Sequence, residues 1–379
     1  MMSVSIAIFV VSIAGIVYVI GGYPLLLAWL ARRHSRPVLK DNVIRDISIV
    51  IAAHNGEQFV EAKLRSVLAL NYPREHMQII FVSDGSTDRT DEIAQSFRNH
   101  GVEFYRIEKS GKAGAVNCGI SYATGEILVL NDVRQTLDPE SVRNVVACFA
   151  DPRVGAVSGK LHIRTGQISE EADTGLYWKY EVFIRKQMSR IDSTFGTSGH
   201  FYALRRTLAV PIPKDTLLDD VYLPLSAFFR GYRIVLEETA KTFDYPTNLN
   251  SEFKRKVRTQ AGLYQILREY PQLLSSSNRM RIHFLSAKFA RLLLPFLLIL
   301  ILLSSFGLPD PFKEIAIAVQ VIFYGIALLD RWIPEDRLIK SISSPIRTFV
   351  VLMAASLMAC KIFFIPARDL WKETKVRVG

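Results

Sequence analysis

The chain alternates long apolar stretches with a polar middle. From Met1 to Ala31 no charged side chain occurs, and Arg32, Arg33 and Arg36 come directly after. A secretory leader would carry its positive charge before a shorter apolar core, so residues 1–31 predict a transmembrane helix. The basic cluster after it assigns the downstream polar chain to the cytoplasmic side by the positive-inside rule. Three further apolar runs, 292–306, 315–329 and 349–364, are candidate spans, short but extensible at their ends.

The polar middle has its own rhythm. Residues 47–52 (ISIVIA) and 78–82 read as strands buried on both faces, and Val60, Leu64, Val67 and Leu68 recur between them at helical spacing. Ile93, Ala94 and Phe97 give the next helix its stripe, 102–107 reads as a strand, and a helix starts near Lys112. Residues 126–131 (EILVLN) form another buried strand, and Pro139 opens a helix with Val142, Val145, Val146 and Phe149 on one face. This alternation predicts an α/β domain with a doubly wound, mainly parallel sheet, joined to α-helical transmembrane segments. The expected organisation is a transmembrane helix over 1–31, a cytosolic domain over 46–250, an amphipathic interfacial segment over 251–281, transmembrane helices within 282–365 and a basic tail over 366–379.

Lys254, Arg255, Lys256 and Arg258, followed by Leu263, Ile266, Leu267, Arg268 and Tyr270, read as an amphipathic basic helix of the kind that lies in a membrane interface. Residues 331–347 carry net positive charge and predict a cytoplasmic loop. The third C-terminal span then delivers Arg368, Lys372, Lys375 and Arg377 outward, against the rule. A re-entrant or interfacial segment and a tail that breaks the rule both remain open.

Composition narrows the partners. The 379 residues are 49% hydrophobic and carry a formal net charge of +11, which points to nucleic acid, anionic lipid or a phosphate-bearing substrate. Nucleic acid is suggested by charge alone, and the basic residues sit beside apolar spans, where lipid headgroups account for them better. A transporter would place polar residues within its spans, and only Lys361 lies well inside one. Cys118, Cys148 and Cys360 are far apart, lack metal-ligand spacing and read as reduced packing residues.

The stretch 82–90 (VSDGSTDRT) carries the first chemistry. A buried strand ends in Asp84, Gly85 lets the backbone turn, and Ser86, Thr87 and Asp88 are good caps for a helix beginning near Arg89. Such a turn presents polar groups at the carboxyl edge of a sheet, where open α/β sheets bind nucleotides. An ordinary βα loop is the other reading; further charged sites at comparable strand ends favour the nucleotide.

Residues 51–57 (IAAHNGE), 82–88 (VSDGSTD) and 109–117 (KSGKAGAVN) closely resemble the successive motifs of family 2 inverting glycosyltransferases. Residues 196–206 (GTSGHFYALRR) are similar to that family's acceptor-side glycine segment, and 218–223 (LDDVYL), followed by Gly231-Tyr232-Arg233, to the acidic segment that holds its catalytic base. The resemblance covers roughly Ile47 to Leu267. In layout the chain looks like the membrane-bound synthases of poly-N-acetylglucosamine, cellulose and hyaluronan. The resemblance implies a membrane-bound, multi-pass enzyme of the inner membrane with a cytoplasmic catalytic domain. Its donor would be a nucleotide-diphosphate sugar, expected to be a UDP-sugar, and its acceptor a glycan or lipid-linked molecule, with membrane lipids around it and a partner subunit or oligomer to complete any channel.

Each motif also has a physical reason. Glu57 and Asp84, at neighbouring strand ends, offer carboxylate acceptors for base and ribose hydroxyls, or else cap helices. Lys112 follows a glycine near a helix start, where backbone amides, the helix dipole and its own charge suit a phosphate; a solvated surface lysine is the alternative. Asp132 ends an apolar strand and suits a divalent cation, Mg2+ or Mn2+, bridging two phosphates. The usual Asp-x-Asp is here Asp132-Val133-Arg134, so one carboxylate is missing and Arg134 is a candidate phosphate or glycan contact.

Asp219 and Asp220 are adjacent and too close in sequence to face one another across a substrate, so one acts and the other caps or positions, unless both cap the helix 221–230. The resemblance selects Asp220 as the general base. Processive members carry Gln-x-x-Arg-Trp; residues 255–259 read RKVRT, which keeps Arg258 as a donor-site candidate and replaces the tryptophan with Thr259. Transfer of one or a few sugars is therefore expected. A processive polysaccharide synthase is the alternative, and a non-catalytic sugar-nucleotide-binding membrane sensor the second.

Overall fold

The N-terminal apolar stretch is helical in a computed structural model that describes residues 2–163, 172–245, 249–334 and 337–370. Helix α1 (Met2–Val17) passes through a π-helical turn, Tyr18–Gly22, into α2 (Tyr23–Arg33). Pro24 has no N–H for the carbonyl four residues back, and the widened turn before it accommodates that loss.

The polar middle continues as β1 (Ile47–Ala53), α3 (Glu57–Leu68), β2 (Met77–Asp84), α4 (Thr90–Ser96), β3 (Val102–Ile107), α5 (Gly111–Tyr122), β4 (Ile127–Asp132), β5 (Thr136–Leu137), α6 (Ser141–Ala147) and β6 (Val154–Ile163). After α7 (Ala172–Ile191) come β7 (Phe201–Arg205), α8 (Asp219–Phe229) and β8 (Arg233–Asp244). The strands form one sheet in the order β3-β2-β1-β4-β7-β6-β8-β5. The first four run parallel, as expected for a sheet built from βα units. Strand β7 enters antiparallel between β4 and β6, β6 and β8 are parallel, and β5 lies antiparallel on β8. The sheet is thus mixed but mainly parallel, as expected, with antiparallel pairings only around β7 and at β5.

Both faces of β1 are covered, which explains its unbroken apolar run. Ile47, Ile49 and Ile51 share a core with Val60, Leu64 and Val67 of α3 and Val142, Val145 and Val146 of α6. Val50 and Val82 face α5, where a side chain on Gly119 would come within 2.3 Å of Val50. The parallel register brings Ala53, Asp84 and Asp132 to one edge of the sheet. Because β7 is antiparallel, its amino end, preceded by Gly199 and His200, arrives at that same edge, with Asn131 opposite Phe201.

The chain divides into two compact units, and the described part of the sheet-bearing unit comprises residues 34–163 and 188–245. Its leading segment is tied down by Lys40 on Glu237 at 2.5 Å, by Arg36 on Asp192 at 3.2 Å and by the Arg233 guanidinium on the Arg36 carbonyl at 2.9 Å.

The other unit holds the apolar helices. It contains α1, α2, most of α7, α9 (Leu249–Glu269), α10 (Arg281–Phe284), a second π-helical turn at Leu285–Phe289, α11 (Ala290–Ser305), α12 (Phe312–Leu329) and α13 (Lys340–Ala359). Among the described residues, four helical stretches are long and apolar enough to cross a membrane: Met2–Arg33, Arg281–Ser305, Phe312–Trp332 and Lys340–Phe363. The basic helix read as interfacial is α9. Ala261, Leu263 and Ile266 are buried, Gln260 donates to Ser356 of α13 at 3.2 Å, and the Tyr264 ring meets Phe363 edge-on. Its apolar stripe is therefore covered by protein. Lys372, Lys375 and Arg377 of the tail fall outside the described residues.

Candidate active site

The carboxyl edge of the parallel strands gathers most of the charged motif residues. Gly85 takes a left-handed φ of +61° straight after β2, where a side chain would come within 2.9 Å of the Lys109 backbone nitrogen. That turn lets Asp84 reach the start of α5. One carboxylate oxygen accepts the Ser110 amide at 2.7 Å and the other the Gly111 amide at 2.9 Å. Asp84 is 4% exposed and anchors the loop that carries Lys112. Glu57 likewise accepts the Arg89 amide at 3.0 Å, while its own amide donates to Asp88 at 3.0 Å. The capping alternative thus describes what both carboxylates do in this structure, and Glu57 remains exposed to solvent.

Lys112 and the two acidic segments converge. From the first turn of α5, Lys112 Nζ lies 2.8 Å from Asp132 Oδ1 and 3.1 Å from Asp219 Oδ1. It is not a solvated surface lysine. Burial alone would lower its pKa, but Asp132, Asp219 and Asp220 outweigh burial and hold the ammonium well above the ordinary lysine range. Burial would raise the Asp132 carboxyl, and Lys112, with help from His200 and Arg134, instead holds it below the usual carboxylate value. Two acidic segments far apart in the chain thus meet on one lysine.

Asp220 is the second residue of α8. Its carbonyl accepts both the amide and the hydroxyl of Thr197 at 2.8 Å, which fixes the first turn of the helix against the glycine segment. Gly199 lies so close that a side chain there would come within 3.2 Å of Asp220 Oδ2. A glycine is what allows backbone and carboxylate to approach in this way. The adjacent pocket is lined by Lys112, Asn131, Asp132, Gly199, Tyr202 and Asp219.

Arg134 behaves differently from its sequence reading. Its Nη2 lies 2.7 Å from Asp244 Oδ2 at the end of β8, its side chain is mostly buried, and Gln135 donates to the same oxygen at 2.8 Å. The guanidinium is committed to Asp244 rather than presented as a phosphate contact. Arg258 lies on α9, in the other unit. Among the described residues no three His, Cys, Asp or Glu side chains converge to hold a metal.

Motif reading misses Lys63, although it falls between Val60 and Leu64 on the buried stripe of α3. It is fully buried and donates to Asn131 Oδ1 and to the Gln135 carbonyl, while Asn131 in turn donates to the His200 carbonyl. This network lashes together the strand ends directly beneath Asp132. Burial pushes the Lys63 ammonium down to about 7, with Asp132 and Asp244 opposing the fall. The unfolded chain therefore holds this proton more tightly between pH 7 and the ordinary lysine value, so the stability contributed by the group rises with pH through that window. The thermal unfolding midpoint of wild type is expected to gain on that of Lys63→Met between about pH 7 and pH 10. Parallel curves would show that folding leaves the Lys63 proton affinity unchanged.

Residues 48–210 match the model of Glycosyl transferase family 2, and that span holds Glu57, Asp84, Lys112 and Asp132. Over 242 residues it is 27% identical to the poly-beta-1,6-N-acetyl-D-glucosamine synthase of Staphylococcus aureus strain COL, covering 62% of this chain and 58% of that protein. The protein of the same description from Staphylococcus epidermidis is 28% identical over 232 residues, covering 59% of this chain and 56% of its own length. The match thus spans rather more than half the length of these relatives. The mannosyltransferase PcManGT from Pyrobaculum calidifontis, solved with GDP-Man and Mn2+, shares the fold at a TM-score of 0.70 and 22% identity, over 94% of this chain and 99% of its own.

Proposed function

We propose that this protein transfers a sugar, with inversion, from a nucleotide-diphosphate sugar to a glycan or lipid-linked acceptor at the cytoplasmic face of a membrane. The observation that carries the reading is the meeting of Lys112, Asp132 and the Asp219-Asp220 pair at the carboxyl edge of the parallel strands. A half-buried lysine held between carboxylates is a site prepared for an anion, because a diphosphate entering with a cation can take over the charges these groups now exchange among themselves. Asp220 is assigned as the general base that takes the proton from the acceptor hydroxyl as that oxygen attacks the anomeric carbon. The diphosphate departs from the opposite face, with Lys112 beside its developing charge, and displacement from behind inverts the centre.

A divalent cation fits this donor set. Mg2+ is commonly held by one or two carboxylates together with substrate phosphates and water, which suits a strand end where Asp132 stands in place of an acidic pair. Asp132 would hold Mg2+ or Mn2+, and the ion would neutralise charge on the leaving diphosphate. Because Lys112 already occupies one Asp132 oxygen, the cation is expected to enter with the nucleotide rather than ahead of it.

The acceptor reading rests on Thr259, which stands where processive synthases carry the tryptophan of Gln-x-x-Arg-Trp, and on four apolar helices. The similarity to polymer-forming synthases favours a processive reading instead. Sizing of radiolabelled product made by purified protein with a membrane-lipid extract separates the two. Short, lipid-extractable products are expected. High-mass polymer appearing before short products accumulate would establish the processive reading.

A further inference from the structure

Tyr202 is the second residue of β7, registered opposite Leu130 of β4 and Ser158 of β6, and it is 1% exposed. Its ring packs in the sheet, but its hydroxyl is buried without a hydrogen-bond partner among the described residues. Tyr202 lines the same pocket as Lys112, Asp132 and Asp219. A buried donor without an acceptor is unfavourable, and such a group in a folded protein calls for an explanation.

The explanation lies in what Lys112 does in this structure. Its ammonium serves Asp132 and Asp219 at once, and the Asp219 side chain is only 8% exposed. A diphosphate that draws Lys112 toward itself takes a donor away from a carboxylate that water can hardly reach. Asp219 then needs another donor from within the pocket, since a buried carboxylate short of partners is costly. We propose that Tyr202 is a positioning residue of the donor-bound state, whose hydroxyl donates to the Asp219 carboxylate when Lys112 turns to the diphosphate. Burial, with the carboxylates of Asp219, Asp220 and Asp132, holds the phenol well above its ordinary pKa, so it stays protonated and able to donate. By steadying Asp219 at the first turn of α8, it also holds the neighbouring Asp220 in place during transfer. The inference rests on the assignment of Lys112 to the diphosphate.

Tyr202→Phe removes the hydroxyl and keeps the ring. The test uses the full chain in detergent, with UDP, GDP and CDP as probes in the presence of Mg2+, and compares wild type, Tyr202→Phe and Lys112→Ala by equilibrium binding and thermal unfolding. Tyr202→Phe should leave the nucleotide-free unfolding midpoint unchanged or raised, because it deletes an unsatisfied polar group. The same variant should bind the preferred diphosphate about tenfold more weakly, the size of one hydrogen bond to a charged group. A role confined to packing would move neither quantity in that combination. If wild type binds a diphosphate, Lys112→Ala loses it and Tyr202→Phe binds as tightly as wild type, the Tyr202 inference alone is overturned. A lowered midpoint in nucleotide-free Tyr202→Phe overturns it too, by showing the hydroxyl already bonded. Equal binding by wild type and Lys112→Ala removes the Lys112 assignment and the inference with it.

Discussion

Asp220→Asn should lower turnover by about a hundredfold or more while leaving donor affinity near that of wild type. Asparagine keeps the shape of the side chain, and the bonds that fix the start of α8 run through the Asp220 carbonyl to Thr197, which the substitution does not touch. Gly199, packed against the carboxylate, leaves room for an amide of the same size. With Asp220 as the proposed base, the variant would lose the ability to accept the acceptor's proton in the transition state. A loss of that kind appears in kcat and leaves ground-state donor binding intact. Initial rates at saturating donor, set beside equilibrium binding of the nucleoside diphosphate, give the two quantities separately. Turnover close to wild type would move the general base away from Asp220.

Removal of divalent cations should be nearly as damaging. A divalent cation held with Asp132 would supply several kcal/mol of charge stabilisation to the leaving diphosphate, so chelation is expected to cost about a hundredfold or more in rate at roughly 1.4 kcal/mol per factor of ten. Only Asp132 stands where an acidic pair is usual, and Arg134, which takes the second position, is held by Asp244 at 2.7 Å. The chain therefore has little with which to replace the ion except Lys112. Activity should disappear in excess chelator and return on adding Mg2+ or Mn2+. Binding of the metal alone should be weak, and should strengthen when nucleoside diphosphate is present, because Lys112 lies on Asp132 Oδ1 until an anion draws it away. Full activity in chelator would mean that Lys112 carries the phosphate charge by itself.

Much of the parallel half of the sheet is legible in the chain because its strands are buried on both faces. The runs 47–52, 78–82 and 126–131 reappear as β1, β2 and β4 with their ends shifted by a residue or two. Strands β6 and β8 are harder to read. Arg233, Glu237 and Thr242 are buried polar positions in β8 whose partners come from distant segments, such as Lys40 on Glu237, and no local periodicity announces them. The helices long and apolar enough to cross a membrane are longer than their apolar runs for a similar reason. Arg291 is paired with Glu181, and Arg347 with Asp330, so charges that interrupt a hydropathy pattern lie inside continuous helices.

The site is legible as a set of residues but not as an arrangement. Motif by motif, Lys112, Asp132 and Asp219-Asp220 can be named, yet their meeting depends on β7 entering antiparallel and bringing the glycine segment to the edge where β4 ends. Arg134 shows the limit of reading a motif letter by letter, since its fate is decided by Asp244, 110 residues on. Lys63 is open to detection, as a charged residue on a stripe otherwise apolar. Tyr202 is not, because both faces of β7 are buried and alternation marks neither.

Sugar transfer with Asp220 as base is tested most directly by release of nucleoside diphosphate from a panel of sugar nucleotides. The detergent-purified protein is supplied with acceptor lipid extract and Mg2+, with wild type and Asp220→Asn run in parallel. Wild type is expected to show acceptor-dependent release from one donor, and the variant a rate lower by about a hundredfold. Binding of a sugar nucleotide by both proteins without release by either would contradict transfer and make the protein a sensor.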